Sequence, residues 1–222
     1  KEDPVHFQRF LHIAKQADFV FTVDYDRIAA YKGELNHNNV FFLPFAAQPS
    51  VHNPIEKYKR KDAFCFAGSW YPQYPKRQED FIHLSNVAKK FRDIEIYDRN
   101  LGNEKFAFPA SFQSHIKGSL SYSDIDRAYK GYRYGINVST VQNSSTMFAR
   151  RIYELLASNT VVLSNYARGV KTLLGNLVLA SDNEEFLLSQ LKRYAENEYD
   201  YRRFRLLGLR KVMREHTYAA RL

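Results

Sequence analysis

The sequence predicts an α/β fold, a doubly wound and mostly parallel sheet with helices on both faces. Two observations carry this. From Asp62 onward, short apolar runs alternate with capped or amphipathic helical stretches, the order that a parallel sheet with crossover helices produces. Runs such as residues 160–163 (Thr-Val-Val-Leu) lack apolar/polar alternation, as strands buried on both faces do. With 222 residues, 45% of them hydrophobic, the chain is long enough for one large domain, or for one domain and part of another.

The elements follow in order. Residues 5–16 have helical spacing, with Phe7, Phe10, Leu11 and Ala14 on one side. Residues 18–23 read as a strand. Asp24 caps a helix over 27–32, 36–39 turn, and 40–43 form another buried strand. Residues 44–54 hold three prolines without periodicity and read as a linker. The second series opens with a strand at 63–67 ending in Gly68. A loop at 69–75, a helix at 76–90 and a strand at 94–97 follow. Residues 100–118 read mostly as loop. Ser123 caps a helix over 124–131, with Asp126 at the capping-box position. A strand at 134–138, a helix at 147–157 and a strand at 161–164 come next. A short helix at 170–174, a strand at 177–180, a helix from Asp182 to about Asn197 and a last helix over 200–216 complete the series. This divides the chain into 1–54, 55–198 and 199–222, the last stretch being a helix that packs back on the first.

The net charge of +9 suits anionic partners: phosphorylated small molecules, an anionic membrane face or nucleic acid. Basic and aromatic residues interleave in 55–61 and 199–210, a pattern compatible with nucleic acid. It reads better as helix faces with Phe and Leu inward and Arg outward, and no nucleic-acid reading motif accompanies it. Cys65 lies in an apolar run and reads as a small buried hydrophobe. No apolar run reaches membrane-spanning length and no signal peptide opens the sequence, so a cytoplasmic protein is expected, with peripheral membrane contact open to it.

The most informative segment is 144–169. Asn143, Ser144, Ser145 and Thr146 offer caps to the helix that starts at Met147, and first-turn amides there suit an anion. Arg150 and Arg151 lie near the same end, where unpaired cations are unfavourable and an anionic ligand or a carboxylate partner is expected. Glu154 follows Arg150 by four residues. One reading is a surface ion pair between them. The other is a ligand site in which cations meet a diphosphate and the carboxylate meets ribose hydroxyls. Gly68, with Ser69, Trp70 and Tyr71 and then Lys76 and Arg77, forms a strand–loop–helix. It could cradle phosphate, or be an ordinary loop with Trp70 packed beneath it. Two Asp-x-Asp triplets, Asp24–Asp26 and Asp124–Asp126, could hold a divalent ion, but both sit where helices begin and read as caps. The histidines lack metal spacing. His216 ends the last helix, where a cationic imidazole suits the dipole.

Together, residues 147–164, 66–71 with Arg77, 134–139 and 216–221 resemble the C-terminal half of a GT-B glycosyltransferase. More closely they are similar to the CgeB-like group of the "glycosyl transferases group 1" superfamily. The segment 17–49 resembles the last β-α-β of the N-terminal Rossmann-like domain of that fold, whose acceptor-binding bulk would lie outside this sequence. The resemblance implies a donor-binding Rossmann-like domain in which Glu154 accepts from the donor ribose. Arg150 or Arg151, with Arg77, Gly68, Ser145, Thr146 and Met147, would then meet the rest of a UDP- or GDP-sugar. It implies a co-substrate rather than a cofactor, and no metal. The first Glu of the Glu-x7-Glu pair seen in retaining members is missing, since Thr146 stands eight positions before Glu154 and Met147 seven, and the usual Gly after the helix is Asn159, which tolerates a left-handed backbone. The expected function is therefore sugar transfer from a nucleotide-sugar to a cell-envelope or spore-surface acceptor. The alternative is a non-catalytic basic module for an anionic polymer or membrane.

Overall fold

The computed structural model describes residues 4–221, with side chains described from Phe7 onward. Its main body is a six-stranded, all-parallel sheet in the order β5-β4-β3-β6-β7-β8. The strands are β3 (Lys61–Gly68), β4 (Ile94–Asp98), β5 (Ile116–Gly118), β6 (Tyr132–Asn137), β7 (Val161–Ser164) and β8 (Leu179–Ala180). The order runs outward from β3 to β5, then returns to β6 on the other side of β3. The switch point of this doubly wound sheet therefore lies between β3 and β6, where such sheets open a crevice. Ahead of it stand α1 (Pro4–Ala14), α2 (Ile28–Leu35) and a small parallel pair, β1 (Val20–Thr22) with β2 (Val40–Phe42). Their own apolar cluster contains Leu11, Val20, Leu35 and Val40.

Burial of the sheet on both faces is visible residue by residue. Along β3, Ala63, Cys65 and Ala67 enter one core, and Phe64 and Phe66 enter the other. The first core is covered by α4 (Asp126–Lys130), α5 (Arg151–Ala157), α6 (Arg168–Leu174) and the end of α8 (Glu198–Glu215). The second lies under α3 (Pro75–Lys89) and α7 (Glu184–Glu196). Pro75 opens α3, where its missing N–H costs nothing. Asn183 and Asn197 cap α7 and α8 by accepting from Phe186 N and Asp200 N. Gly135 lets α5 approach, because a Cβ there would lie 2.6 Å from Leu155 Cδ2. Asn159 ends the turn after α5 with φ 56°, the left-handed conformation expected of it. Each fully buried Phe or Leu contributes about 1.5–3 kcal/mol, more than an exposed ion pair of about 0–1 kcal/mol, so these two cores dominate the fold.

Several expectations are corrected. The helix expected at 147–157 starts only at Arg151, and Arg150 at its N-cap makes no side-chain cap. The helix expected from Asp124 starts at Asp126, without a Ser123 cap. Asp126 is instead buried in a pair with Lys57 (2.8 Å) and Lys130 (3.1 Å). Residues 100–118 contain two 3₁₀ turns and the edge strand β5. Residues 55–61 are not a helix face: an irregular stretch leads into β3, and Arg60 donates to the carbonyls of Tyr132 and Ser158. On α8, Tyr201, Leu209 and Val212 are buried, whereas Leu206 and Leu207 are exposed. The stretch 44–54 is packed rather than free. Ala46 and Ala47 are fully buried, and Ala47 bridges Thr217 beyond α8. Among the described residues, no helix is long and apolar enough to cross a membrane.

Candidate functional site

A cleft of about 490 Å³ opens at the C-terminal ends of β3 and β4, beside the start of α5. Ala67 and Gly68 form its floor, and Tyr97 and Arg99 one flank. Arg150, Arg151 and Glu154 come from α5 and its N-cap, and Phe45 and His52 from the stretch 44–54. Leu120, Tyr122, Ile125 and Tyr129 line the remaining side. The lining is therefore part apolar and part charged.

Glu154 is the most constrained group. Its side chain is buried, yet Arg150 Nε donates to Oε1 at 2.7 Å and Tyr129 Oη donates to Oε2 at 2.7 Å. The expected surface ion pair with Arg150 exists, but it sits at the mouth of the cleft: the arginine is half-exposed and the glutamate is not. Burial, and then the Glu154 charge, raise Tyr129, so its phenol stays protonated and able to donate. His52 Nε2 lies 4.0 Å from Glu154 Oε1. Burial lowers the His52 pKa against the opposing pull of Glu154, which keeps the ring neutral at pH 7. Its Nδ1 accepts from Gln48 N (3.2 Å), so the ring proton is on Nε2, toward the carboxylate.

Arg151 lies across the floor. Its guanidinium carbon is 4.9 Å from the Phe66 ring centroid, and its Nε is buried without a partner. The floor must be glycine: a Cβ on Gly68 would come within 2.7 Å of Arg151 Nη2 and 2.8 Å of the Phe66 ring. Arg151, Arg150 and Arg99 give the cleft three guanidinium groups, a set suited to a diphosphate.

Of the residues singled out by sequence, Gly68, Arg150, Arg151 and Glu154 meet in this cleft. The others have different surroundings. Arg77 is buried beneath the β3–α3 loop, donates to Ser69 O (3.1 Å) and stacks on Tyr71. Burial and then the nearby Arg151 charge lower its pKa to about 10. Trp70 packs beneath that loop against Phe81 and Phe108. Ser145 donates from its N (2.8 Å) and its Oγ to Asp26, and Thr146 Oγ1 accepts from Tyr25 N (2.9 Å) and donates to Val23 O (3.1 Å). Ser144 Oγ donates to Asp24 (2.7 Å) and accepts from Met147 N (2.9 Å). Asp24 does cap its own turn, through Asp26 N. The serines expected to cap α5 therefore bind the Asp24–Asp26 segment instead. Tyr129 and His52 carried no sequence signal. Arg99, a basic residue just past a strand end, could have been found by the rule that drew attention to Arg77.

A family described as glycosyl transferase-like matches residues 53–222. No curated protein matches the sequence. Among solved structures, the sucrose-phosphate synthase of Thermosynechococcus elongatus superposes with a TM-score of 0.69 at 12% identity, over 96% of this chain and 59% of its own. The Anabaena protein HepE, solved with UDP-glucose, gives 0.65 at 12% identity, over 99% of this chain and 67% of its own. A glycosyltransferase of Rickettsia africae gives 0.64 at 10% identity, over 99% and 64%. The chain thus spans about two thirds or less of the length of these structures, and they share its α/β fold, the GT-B glycosyltransferase architecture. With the family match covering the whole six-stranded sheet and all of the cleft's lining except Phe45 and His52, the chain belongs to the glycosyl transferase-like family.

Proposed function

We propose that the cleft binds the donor for glycosyl transfer from a nucleotide-sugar, and that within its family the chain belongs to the CgeB-like group. The observation that carries the donor reading is the buried Glu154 carboxylate standing beside Arg150 and Arg151 in one opening at the sheet's switch point. In this reading Glu154 accepts from the ribose hydroxyls, and Arg151, Arg150 and Arg99 take the diphosphate. Positive charge fixed where the leaving diphosphate develops its own charge lowers the barrier to breaking the sugar–phosphate bond. These guanidinium groups supply that charge without a metal ion. The UDP-glucose held by the Anabaena structure of the same fold supports this assignment. The net charge of +9 supports an anionic cell-envelope or spore-surface acceptor and peripheral contact with an anionic membrane.

Titration calorimetry of the chain against UDP, GDP and a UDP-sugar tests the reading. Saturable binding of at least one at sub-millimolar concentration is expected. No binding at millimolar ligand by a folded sample contradicts it. Steep salt dependence together with indifference to Glu154 would instead indicate a basic binding module.

A further inference from the structure

The Glu154 carboxylate faces groups on three different segments: Arg150 at the start of its own helix and Tyr129 on α4 hydrogen-bond to it, and His52 in the stretch 44–54 stands 4.0 Å away. A carboxylate offers about two acceptor positions on each oxygen. Arg150 uses one on Oε1 and Tyr129 one on Oε2. One position remains on each oxygen, the pattern a vicinal diol satisfies. His52 Nε2, at 4.0 Å, is too far for a direct hydrogen bond to Oε1. An oxygen about 2.8 Å from both atoms fits in that gap. A hydroxyl there would donate to Oε1 and accept from the Nε2 proton. Gln48 N on Nδ1 fixes the tautomer this requires.

We propose that Tyr129 is the positioning residue that orients Glu154 for the two ribose hydroxyls, and that His52 shares one of those hydroxyls with it, so the pair sets the preference for a ribose diol. This rests on the donor reading of the cleft.

The test measures binding of UDP or GDP, whichever the wild type binds more tightly, of its 2′,3′-dideoxy analogue and of inorganic pyrophosphate. The proteins are the wild type, Tyr129→Phe, His52→Phe, His52→Gln and Glu154→Ala. Wild type should prefer the ribose form. Tyr129→Phe and His52→Phe should each reduce that preference about five- to tenfold, with the dideoxy analogue and pyrophosphate unchanged. His52→Gln, which keeps an N–H donor, should recover part of the loss. Tyr129→Phe should add nothing in a Glu154→Ala background. Equal loss for all three ligands would show a merely structural role and overturn the proposal. So would an undiminished diol preference in Tyr129→Phe and His52→Phe when Glu154→Ala abolishes it. If wild-type protein binds the nucleotide without any diol preference, the ribose role of Glu154 fails first and the proposal fails with it.

Discussion

Arg150 and Glu154 pair across one turn of α5, Nε to Oε1 at 2.7 Å, with the glutamate buried and the arginine half in solvent. The order is unfavourable for an isolated helix, where glutamate stands better before the cation and a cation at the N-terminus opposes the dipole. Burial of Glu154 accounts for the pair, because an uncompensated buried carboxylate is costly. Arg150→Ala should therefore destabilise the protein by about 1–2 kcal/mol, less than the loss from a fully buried pair because the arginine is half-exposed. Urea unfolding of the variant beside Arg150→Lys checks this; unchanged stability would mean that the pair is ornamental.

At the floor of the cleft, Gly68→Ala places a Cβ against Arg151 Nη2 and the Phe66 ring. The arginine tip can swing aside, but the buried ring must also shift. The expected cost is about 1–3 kcal/mol in unfolding free energy. Pyrophosphate affinity should fall with it, since the displaced group is the one assigned to the diphosphate. Stability and pyrophosphate binding both at wild-type levels would show that the floor is slack.

Residues 144–146 clasp the Asp24–Asp26 segment, about 120 positions away in sequence, and the chain then runs directly into Arg150 and Arg151. Ser144→Ala removes a donor to Asp24 and an acceptor for Met147 N. It should cost about 1–3 kcal/mol. Hydrogen exchange should rise at residues 23–26 and 144–147 together. Asp26 has its pKa lowered by the Ser145 hydroxyl and then by the Ser145 amide, so its share of the clasp is present at neutral pH and is lost as pH falls below the usual aspartate range. Exchange that rises on one side alone would contradict coupling of the two segments.

His216 is corrected from the cationic helix-end residue that its position suggests. Burial, with Arg221 and Lys211 nearby, lowers its pKa from 6.5 to about 4, and Arg221 Nη2 donates to its Nδ1 at 2.8 Å. The folded state therefore resists protonation that the unfolded chain accepts. Stability should be fully present above pH 6.5 and decline as pH falls toward 4, by about 3 kcal/mol at about 1.4 kcal/mol per pH unit. His52, lowered in the same direction, adds to the decline. His216→Gln should flatten the curve of unfolding free energy against pH; a curve as steep as wild type would assign the decline to other groups.

The sheet was readable because strands buried on both faces, such as Phe64–Phe66 and Val161–Leu163, leave dense apolar runs. Strand β5 was not, since Ile116-Lys117-Gly118 at the sheet's edge buries little. Ser144, Ser145 and Thr146 have the chemistry of a helix cap, yet the helix starts only at Arg151 and their hydroxyls donate to the 23–26 segment, and no local pattern records a partner so distant. Arg150, Arg151 and Glu154 were legible as a cluster because they share one helix. Tyr129 and His52 reach Glu154 from other segments. Their spacing carries no sign of it: Tyr129 lies in the helix expected over 124–131 and His52 in a proline-flanked linker.

The most direct test of the donor site compares nucleoside diphosphate with inorganic pyrophosphate on Glu154→Ala. If Glu154 holds the ribose, nucleoside diphosphate binding should weaken at least about tenfold, since a charged hydrogen-bond acceptor contributes about 1.5–3 kcal/mol, while pyrophosphate binding stays within about twofold of wild type. Equal weakening of both ligands, or of neither, would contradict the account.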